Sequence, residues 1–406
     1  AEQNGLPPDT VWRRVGEIEG GAHPETRRFH LSMACNHCLE PTCLSGCPTD
    51  AYVKLDNGVV QHRADECIGC QYCTWNCPYS VPAFQPDRRI VTKCDMCLPR
   101  LSAGLAPACV GACPTEAITV ERVDVAAWRD DHAAADAPHL PPSGITLSTT
   151  RIALPEGVPL DTFAASDHQL RPEHPHTPLI VLTLLTQVAV GASAAGSRAV
   201  AALVAVAALA ASLGHLGRPV HAAKALRNLR RSWLSREVAL FGLYSGAALA
   251  AVPVPALAPV AVAVGAAGVF ASARLYVVPG RPAWDTWLTV AQFGLTPVVA
   301  AGVVAGAPAV AAGGALAQLA VTLANLVRLR RVGTFEARGT VRLTLHWFRP
   351  LFGLRVLAAP AAVAVAPTNL GAAAGLLAVA EVANRYLFYV TVVPLNIPGS
   401  FFRGRA

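Results

Sequence analysis

The chain has 406 residues, 53% hydrophobic and only 15% charged, with mean hydropathy +0.40 and a formal net charge of +7. A charged fraction so far below the roughly 25% of soluble domains excludes a purely soluble, disordered or fibrous protein. With 12 Cys in this length it is no small disulfide scaffold either.

The averages hide two unlike halves. Residues 1–176 hold 14 Lys+Arg and 22 Asp+Glu, a net of −8, whereas residues 177–406 hold 19 and 4, a net of +15. An acidic soluble part joined to an apolar, basic-edged membrane part is expected. The first residue is Ala1, not Met, and the opening stretch is polar and acidic, without the apolar core of a signal peptide.

Three cysteine groups follow. They read Cys35-x2-Cys38-x4-Cys43-x3-Cys47-Pro48, Cys67-x2-Cys70-x2-Cys73-x3-Cys77-Pro78 and Cys94-x2-Cys97-x11-Cys109-x3-Cys113-Pro114. The second is the bacterial ferredoxin run, in which three thiolates wrap one cubane and the fourth, before Pro, ligates another. Zinc would ask for two CxxC-type pairs, and disulfides do not suit a chain with a cytoplasmic-type topology. Exchange of the fourth ligand gives cluster one Cys35, Cys38, Cys43 and Cys77, and cluster two Cys67, Cys70, Cys73 and Cys47, each a [4Fe–4S]. Cys94, Cys97 and Cys109 are left as a partial site, and Cys113 as a lone ligand of a further cluster.

Residues 123–176 form a Pro-rich extended arm or linker, with a short strand expected at 145–154. Beyond it, eight apolar stretches near 178–196, 199–217, 237–253, 256–278, 286–306, 309–327, 347–366 and 371–393 are long enough to cross a bilayer. The loops on the side of the cysteine domain (218–236, 279–285, 328–346 and the tail after 393) carry 14 of the 19 Lys+Arg, which puts that side in the cytoplasm. Basic loops that simply bind the acidic domain would weaken this argument. Residues 220–233 read as an interfacial helix, and Trp284 and Trp287 as an interface belt.

Ionisable groups in a membrane are costly and mark function. His215, Glu237, Glu381 and Arg385 lie in the basic-side half or near the middle of their spans. An imidazole and a carboxylate there could accept the phenolic protons of a quinol. Structural alternatives stand beside this. His215 suits a helix C-terminus, Glu237 a first turn behind Ser235 as N-cap, and Glu381 with Arg385 an i,i+4 ion pair. His176, His215, His221 and His346 form no facing mid-span pair, so no haem is expected.

Residues 11–122 resemble the four-cluster ferredoxin subunit of dimethyl sulfoxide reductase and its relatives, in CNHCLEPTCLSGCP, CIGCQYCTWNCPY and KCDMCLPRLSAGLAPACVGACP. That family has four cysteine groups, and the three present match its second, third and fourth. The resemblance implies a first group upstream of Ala1 and four clusters in the intact protein, of which two are complete here. It also implies that the cluster of Cys67, Cys70 and Cys73 is the one nearest the membrane. Most of 178–400 resembles the same enzyme's eight-span, menaquinol-oxidising anchor, in HLGRP (His215–Pro219, with Arg218), SWLSREV (Ser232–Val238), RLYVVPGRPAW (Arg274–Trp284) and EVANRYLFY (Glu381–Tyr389). It implies that His215 and Glu237 serve quinol binding and oxidation.

The expected fold is an α+β ferredoxin-like iron–sulfur domain (1–122), the arm (123–176) and an all-α polytopic membrane domain of eight transmembrane helices (177–406). The expected function is electron transfer and anchoring for a quinol-linked molybdoenzyme. The chain would sit in the inner membrane with its clusters on the cytoplasmic face. Its partners would be a molybdopterin-containing catalytic subunit, membrane lipid and the quinone pool, and no nucleic acid. The rival readings are a quinone-reducing dehydrogenase subunit, a redox-linked ion translocator and a purely structural anchor.

Overall fold

A computed structural model describes residues 10–20, 23–24, 27–137, 140–153 and 170–395. They divide into one unit up to Leu170 and a second spanning Arg171–Val393.

Proline sets the local architecture of the first unit. Strands β1 (Arg14–Gly20) and β2 (Arg27–Met33) pair antiparallel. Then come two similar passes: helix α1 (Thr42–Gly46) with the hairpin β3 (Tyr52–Lys54) and β4 (Val60–His62), and helix α2 (Tyr72–Asn76) with the hairpin β5 (Ala83–Gln85) and β6 (Ile90–Thr92). Both helices last one turn and stop at a cysteine, Cys47 or Cys77, with extended ψ of 122° and 114°. The residue before proline is pushed out of the helical region, and Pro48 and Pro78 follow. Cys43 and Cys73, inside the helices, therefore point elsewhere than Cys47 and Cys77. This is the expected α+β, ferredoxin-like arrangement. Short helices α3 (Leu98–Ser102), α4 (Ala108–Gly111) and α5 (Val125–Asp130) complete the unit.

The strand expected at 145–154 does not form over its described part. A 3-10 turn, Ser143–Ile145, leads into an irregular segment. The Thr146 and Leu147 carbonyls there accept from the Glu40 and Leu39 N–H groups, both at 2.9 Å. Asn36 Nδ2 also donates to Ser148 Oγ at 3.0 Å. This part of the arm braces the first cysteine loop, which offers unpaired backbone N–H groups but no sheet edge long enough for a strand.

The second unit is helical: α6 (Thr177–Ala194), α7 (Arg198–Leu213), α8 (Trp233–Ala250), α9 (Ala258–Tyr276), α10 (Trp287–Val304), α11 (Pro308–Val332), α12 (Phe335–Arg342), α13 (Arg349–Val365) and α14 (Leu370–Val390). Each of the eight expected spans overlaps one of these helices. By length and composition, however, four of the described helices can cross a membrane: α6, α9 with its leading 3-10 turn, α10 and α11. A fifth counts if α13 is taken with the segment Phe335–Trp347, from which it is bent by 76°. Helix α7 has only 16 residues. Helices α8 and α14 are diluted by Arg236 and Glu237, and by Glu381, Asn384 and Arg385. The interfacial α-helix expected at 220–233 is instead a 3-10 run, Pro219–Leu226, followed by turns. Close approach between helices uses small residues. A Cβ on Gly191 of α6 would lie 2.5 Å from the Pro297 carbonyl of α10.

Candidate functional site

In the first unit, Cys35, Cys38, Cys43 and Cys77 line one cavity together with His37 and Lys93. Cys70 and Cys73 lie within electrostatic reach of Cys47 and Cys67. Each fourth cysteine thus lies beside the thiols of the other group, Cys77 beside the first and Cys47 beside the second. The CxxC loops share one geometry: His37 N, Gly69 N and Met96 N donate to Cys35, Cys67 and Cys94 Sγ at 3.5, 3.4 and 3.3 Å. Such bends need left-handed residues, and Gly69 (φ 69°) supplies one without strain.

The donor chemistry fits iron–sulfur clusters. All twelve cysteines are free. Among the described residues, no three His, Cys, Asp or Glu side chains gather as tightly as a single metal ion requires. Zinc wants four donors about 2.0–2.3 Å from one point, whereas thiols spread around a cavity suit a cubane. Burial pushes Cys38 up to about 12, Cys77 to about 11 and Cys43 well above the ordinary thiol value. Cys35 goes the other way. Burial raises it, but Lys93 and His37 outweigh burial and bring it to about 6. In the third group, Cys97 is buried, while Cys94, Cys109 and Cys113 are partly exposed.

In the second unit, the backbone brings the N-terminal end of α6 and α8 and the C-terminal end of α7, α9 and α14 to one side. His215 lies just past α7, whose C-cap is Gly214, and its Nδ1 is buried without a hydrogen-bond partner. It is within electrostatic reach of His176, whose ring lies 6.4 Å from that of Tyr389. The Tyr389 and Tyr276 hydroxyls share a 2.5 Å hydrogen bond. Glu237 is buried, faces Ser272 and is within electrostatic reach of both tyrosines. His215 and Glu237 are thus connected only indirectly, through His176 and the tyrosine pair, at the same end of the helices. Ser232, not Ser235, caps α8, so Glu237 lies beyond the first turn and the capping alternative fails. Arg218 sits just before the 3-10 run.

Glu381 and Arg385 meet at Thr296, whose Oγ1 donates to Glu381 Oε2 at 2.9 Å and lies 3.5 Å from Arg385 Nη2. Arg385 also donates to Gln187 Oε1 at 2.6 Å and stacks over Phe293 at 3.9 Å. Trp284 is no belt residue. It is 2% exposed, stacks on Phe388 at 4.9 Å and donates to the Phe388 carbonyl. Trp287, at 66%, is exposed.

Residues 26–123 match the 4Fe-4S dicluster domain family, and residues 194–344 the DMSO reductase anchor subunit (DmsC) family. A chain of the anaerobic dimethyl sulfoxide reductase of Escherichia coli K12 is 36% identical over 141 residues, which are 33% of this chain and 69% of that protein. This protein belongs to the dimethyl sulfoxide reductase iron–sulfur subunit family. The corresponding chain of the Haemophilus influenzae enzyme is 37% identical over 144 residues, 33% of this chain and 70% of its own length. A sulfite dehydrogenase subunit of Allochromatium vinosum is 42% identical over 120 residues, 28% of this chain and 50% of its own length. An iron–sulfur subunit of the dimethyl sulfoxide reductase type is here fused to an anchor of the same type, and the chain is an iron–sulfur electron-transfer subunit with a membrane part.

Several buried polar groups of this fusion escaped the sequence reading. Gln292 Nε2 donates to Asn384 Oδ1 at 2.6 Å, and Gln318 Nε2 to Thr296 Oγ1 at 2.8 Å. Arg355, by contrast, is visible in the sequence as an ionisable residue of an apolar span; it is 4% exposed and lines a cavity with Gln292, Asn325, Thr344 and Asn384. Glutamines and asparagines isolated in apolar runs were the available signal. Within the cluster unit, nothing in the sequence singled out His37 or Lys93.

Proposed function

We propose that this chain oxidises menaquinol at the His215–Glu237 end of its membrane unit. Electrons then pass through [4Fe–4S] clusters to a separate molybdopterin-containing catalytic subunit. The observation that carries this is that a buried imidazole and a buried carboxylate stand at the same end of the membrane helices, joined through His176 and the Tyr276–Tyr389 pair. Quinol oxidation releases two protons, and two bases meet that need. The Tyr276–Tyr389 hydroxyl pair orients the Glu237 side of the site. Glu381, Arg385 and Arg218 support it from further off.

The clusters would be held by Cys35, Cys38, Cys43 and Cys77, and by Cys47, Cys67, Cys70 and Cys73. Cys94, Cys97, Cys109 and Cys113 would contribute to others. When loaded, the clusters supply one-electron transfer and no proton chemistry. All eight long helices would serve as spans in the inner membrane, with the basic ends and the cluster unit on the cytoplasmic face. The similarity to a sulfite dehydrogenase subunit supports a second reading, in which electrons run the other way into quinone.

The test is His215→Ala in the full-length chain. Cluster reduction by a menaquinol analogue should slow about 100-fold or more, with reduction by dithionite unchanged. Wild-type quinol oxidation in this variant would return His215 to a helix-end residue.

A further inference from the structure

We propose that the Lys93 ammonium and the His37 imidazole make the cluster of Cys35, Cys38, Cys43 and Cys77 the more easily reduced of the two complete clusters. The inference rests on the ligand sets proposed above and adds what distinguishes them.

Lys93 is 3% exposed and lines the same cavity as the four thiols. Its Nζ donates to the Val60 carbonyl and, at 2.9 Å, to the Cys94 carbonyl. Among the described residues no carboxylate pairs with it, so the ammonium is a buried positive charge whose natural counter-charge is the thiolate set beside it. His37 is equally buried and lines the same cavity. The Val60 N–H donates to its Nδ1 at 3.0 Å. That nitrogen is therefore the acceptor, and the ring proton belongs on Nε2. Nε2 is buried without a partner, leaving an N–H donor free for a cluster sulfur.

Around the other set, the groups described facing Cys73 and Cys47 are neutral. The Tyr52 hydroxyl faces Cys73, the Thr49 hydroxyl lies 3.6 Å from Cys47 Sγ, and the Ala51 N–H donates to Cys47 Sγ at 3.4 Å. Adding an electron makes a cluster more negative. A buried cation and an extra N–H donor stabilise that state, and net charge and hydrogen bonds to sulfur set cluster potentials. One electron given up by the Cys47, Cys67, Cys70 and Cys73 cluster is then taken by its neighbour, with no proton moved. Lys93 and His37 thus favour flow from the cluster expected to lie nearest the membrane toward the other, the direction quinol oxidation requires.

The experiment is a potentiometric titration of the full-length, cluster-loaded chain followed by electron paramagnetic resonance. Lys93→Met should lower the higher-potential of the two [4Fe–4S] signals at least tenfold in its reduction equilibrium, about 59 mV for one electron. The lower signal should stay in place, and Lys93→Arg should restore the higher one. Thr49→Val, which removes the hydroxyl 3.6 Å from Cys47 Sγ, should move only the lower signal, which decides the ordering even if Lys93→Met does not assemble. A Lys93→Met shift of the lower signal or of neither, or a Thr49→Val shift of the higher, would overturn the inference and leave the ligand sets standing. A wild-type chain without two [4Fe–4S] signals would overturn the ligand sets themselves.

Discussion

Replacing Cys77 by Ala together with a second cysteine separates crosswise ligation from the arrangement its sequence neighbours would favour, with Cys67, Cys70, Cys73 and Cys77 on one cluster. Cys77 ends α2 in extended conformation and lines the cavity of Cys35, Cys38 and Cys43. Cys73, one turn earlier, keeps company with Cys47, Cys67 and Cys70. A cubane that loses one thiolate is expected to lose the iron it held. Of the about 8 Fe in two complete [4Fe–4S] sets, about 1 should go. The single variant does not say which cluster was struck, but paired variants do. Cys35→Ala with Cys77→Ala strikes one cluster twice, and one intact [4Fe–4S] signal should remain. Cys67→Ala with Cys77→Ala strikes both, and none should remain. Such non-additivity reports a shared structure. Iron analysis and spin counting on the full-length chain read the outcome. The reverse pattern, with a survivor only in the Cys67 pair, would refute crosswise ligation.

Glu237→Gln should cut quinol oxidation by about 10²–10⁴-fold. It should also flatten the rise of rate with pH, because the deprotonated carboxylate that accepts a proton is gone; steady-state pH profiles check this. Gly191→Ala should destabilise the membrane unit by about 1–3 kcal/mol, since the new Cβ meets the Pro297 carbonyl at 2.5 Å. Gly313→Ala in α11, with nothing within 4 Å, should stabilise by about 0.5–1 kcal/mol, and thermal unfolding in detergent compares them. A reporter inserted between Arg230 and Arg231 should be active only as a cytoplasmic fusion.

The cysteine spacing was the most legible part of this protein. A ligand run followed by proline fixes both a short helix and where it must stop, and the placement of Cys47 and Cys77 apart from their helical neighbours follows from that. Helix positions in the apolar half were equally readable, because long blocks of Ala, Val, Leu and Gly leave few other conformations. Where a helix begins was less so. Ser232 and Ser235 are both sound caps by chemistry, and only the backbone at Ser232, extended with ψ 121°, chooses between them. Trp284 looked like an interface residue because its partner, Phe388, is 104 positions away. The surroundings of each thiol were illegible for the same reason: Lys93 meets Val60 across 33 residues, and no local pattern records such a meeting.

The crossing of the two proline-stopped cysteines bears on how the protein is made. With sulfurs shared as proposed above, one set would be complete only when Cys73 has been synthesised and the other only when Cys77 has, one helical turn later. At about 5–20 residues per second, both sites mature within about a second of each other on the ribosome. No stretch of nascent chain ever carries one finished site for long without the other. On that ligation, a truncation anywhere between the two groups would remove both sites at once.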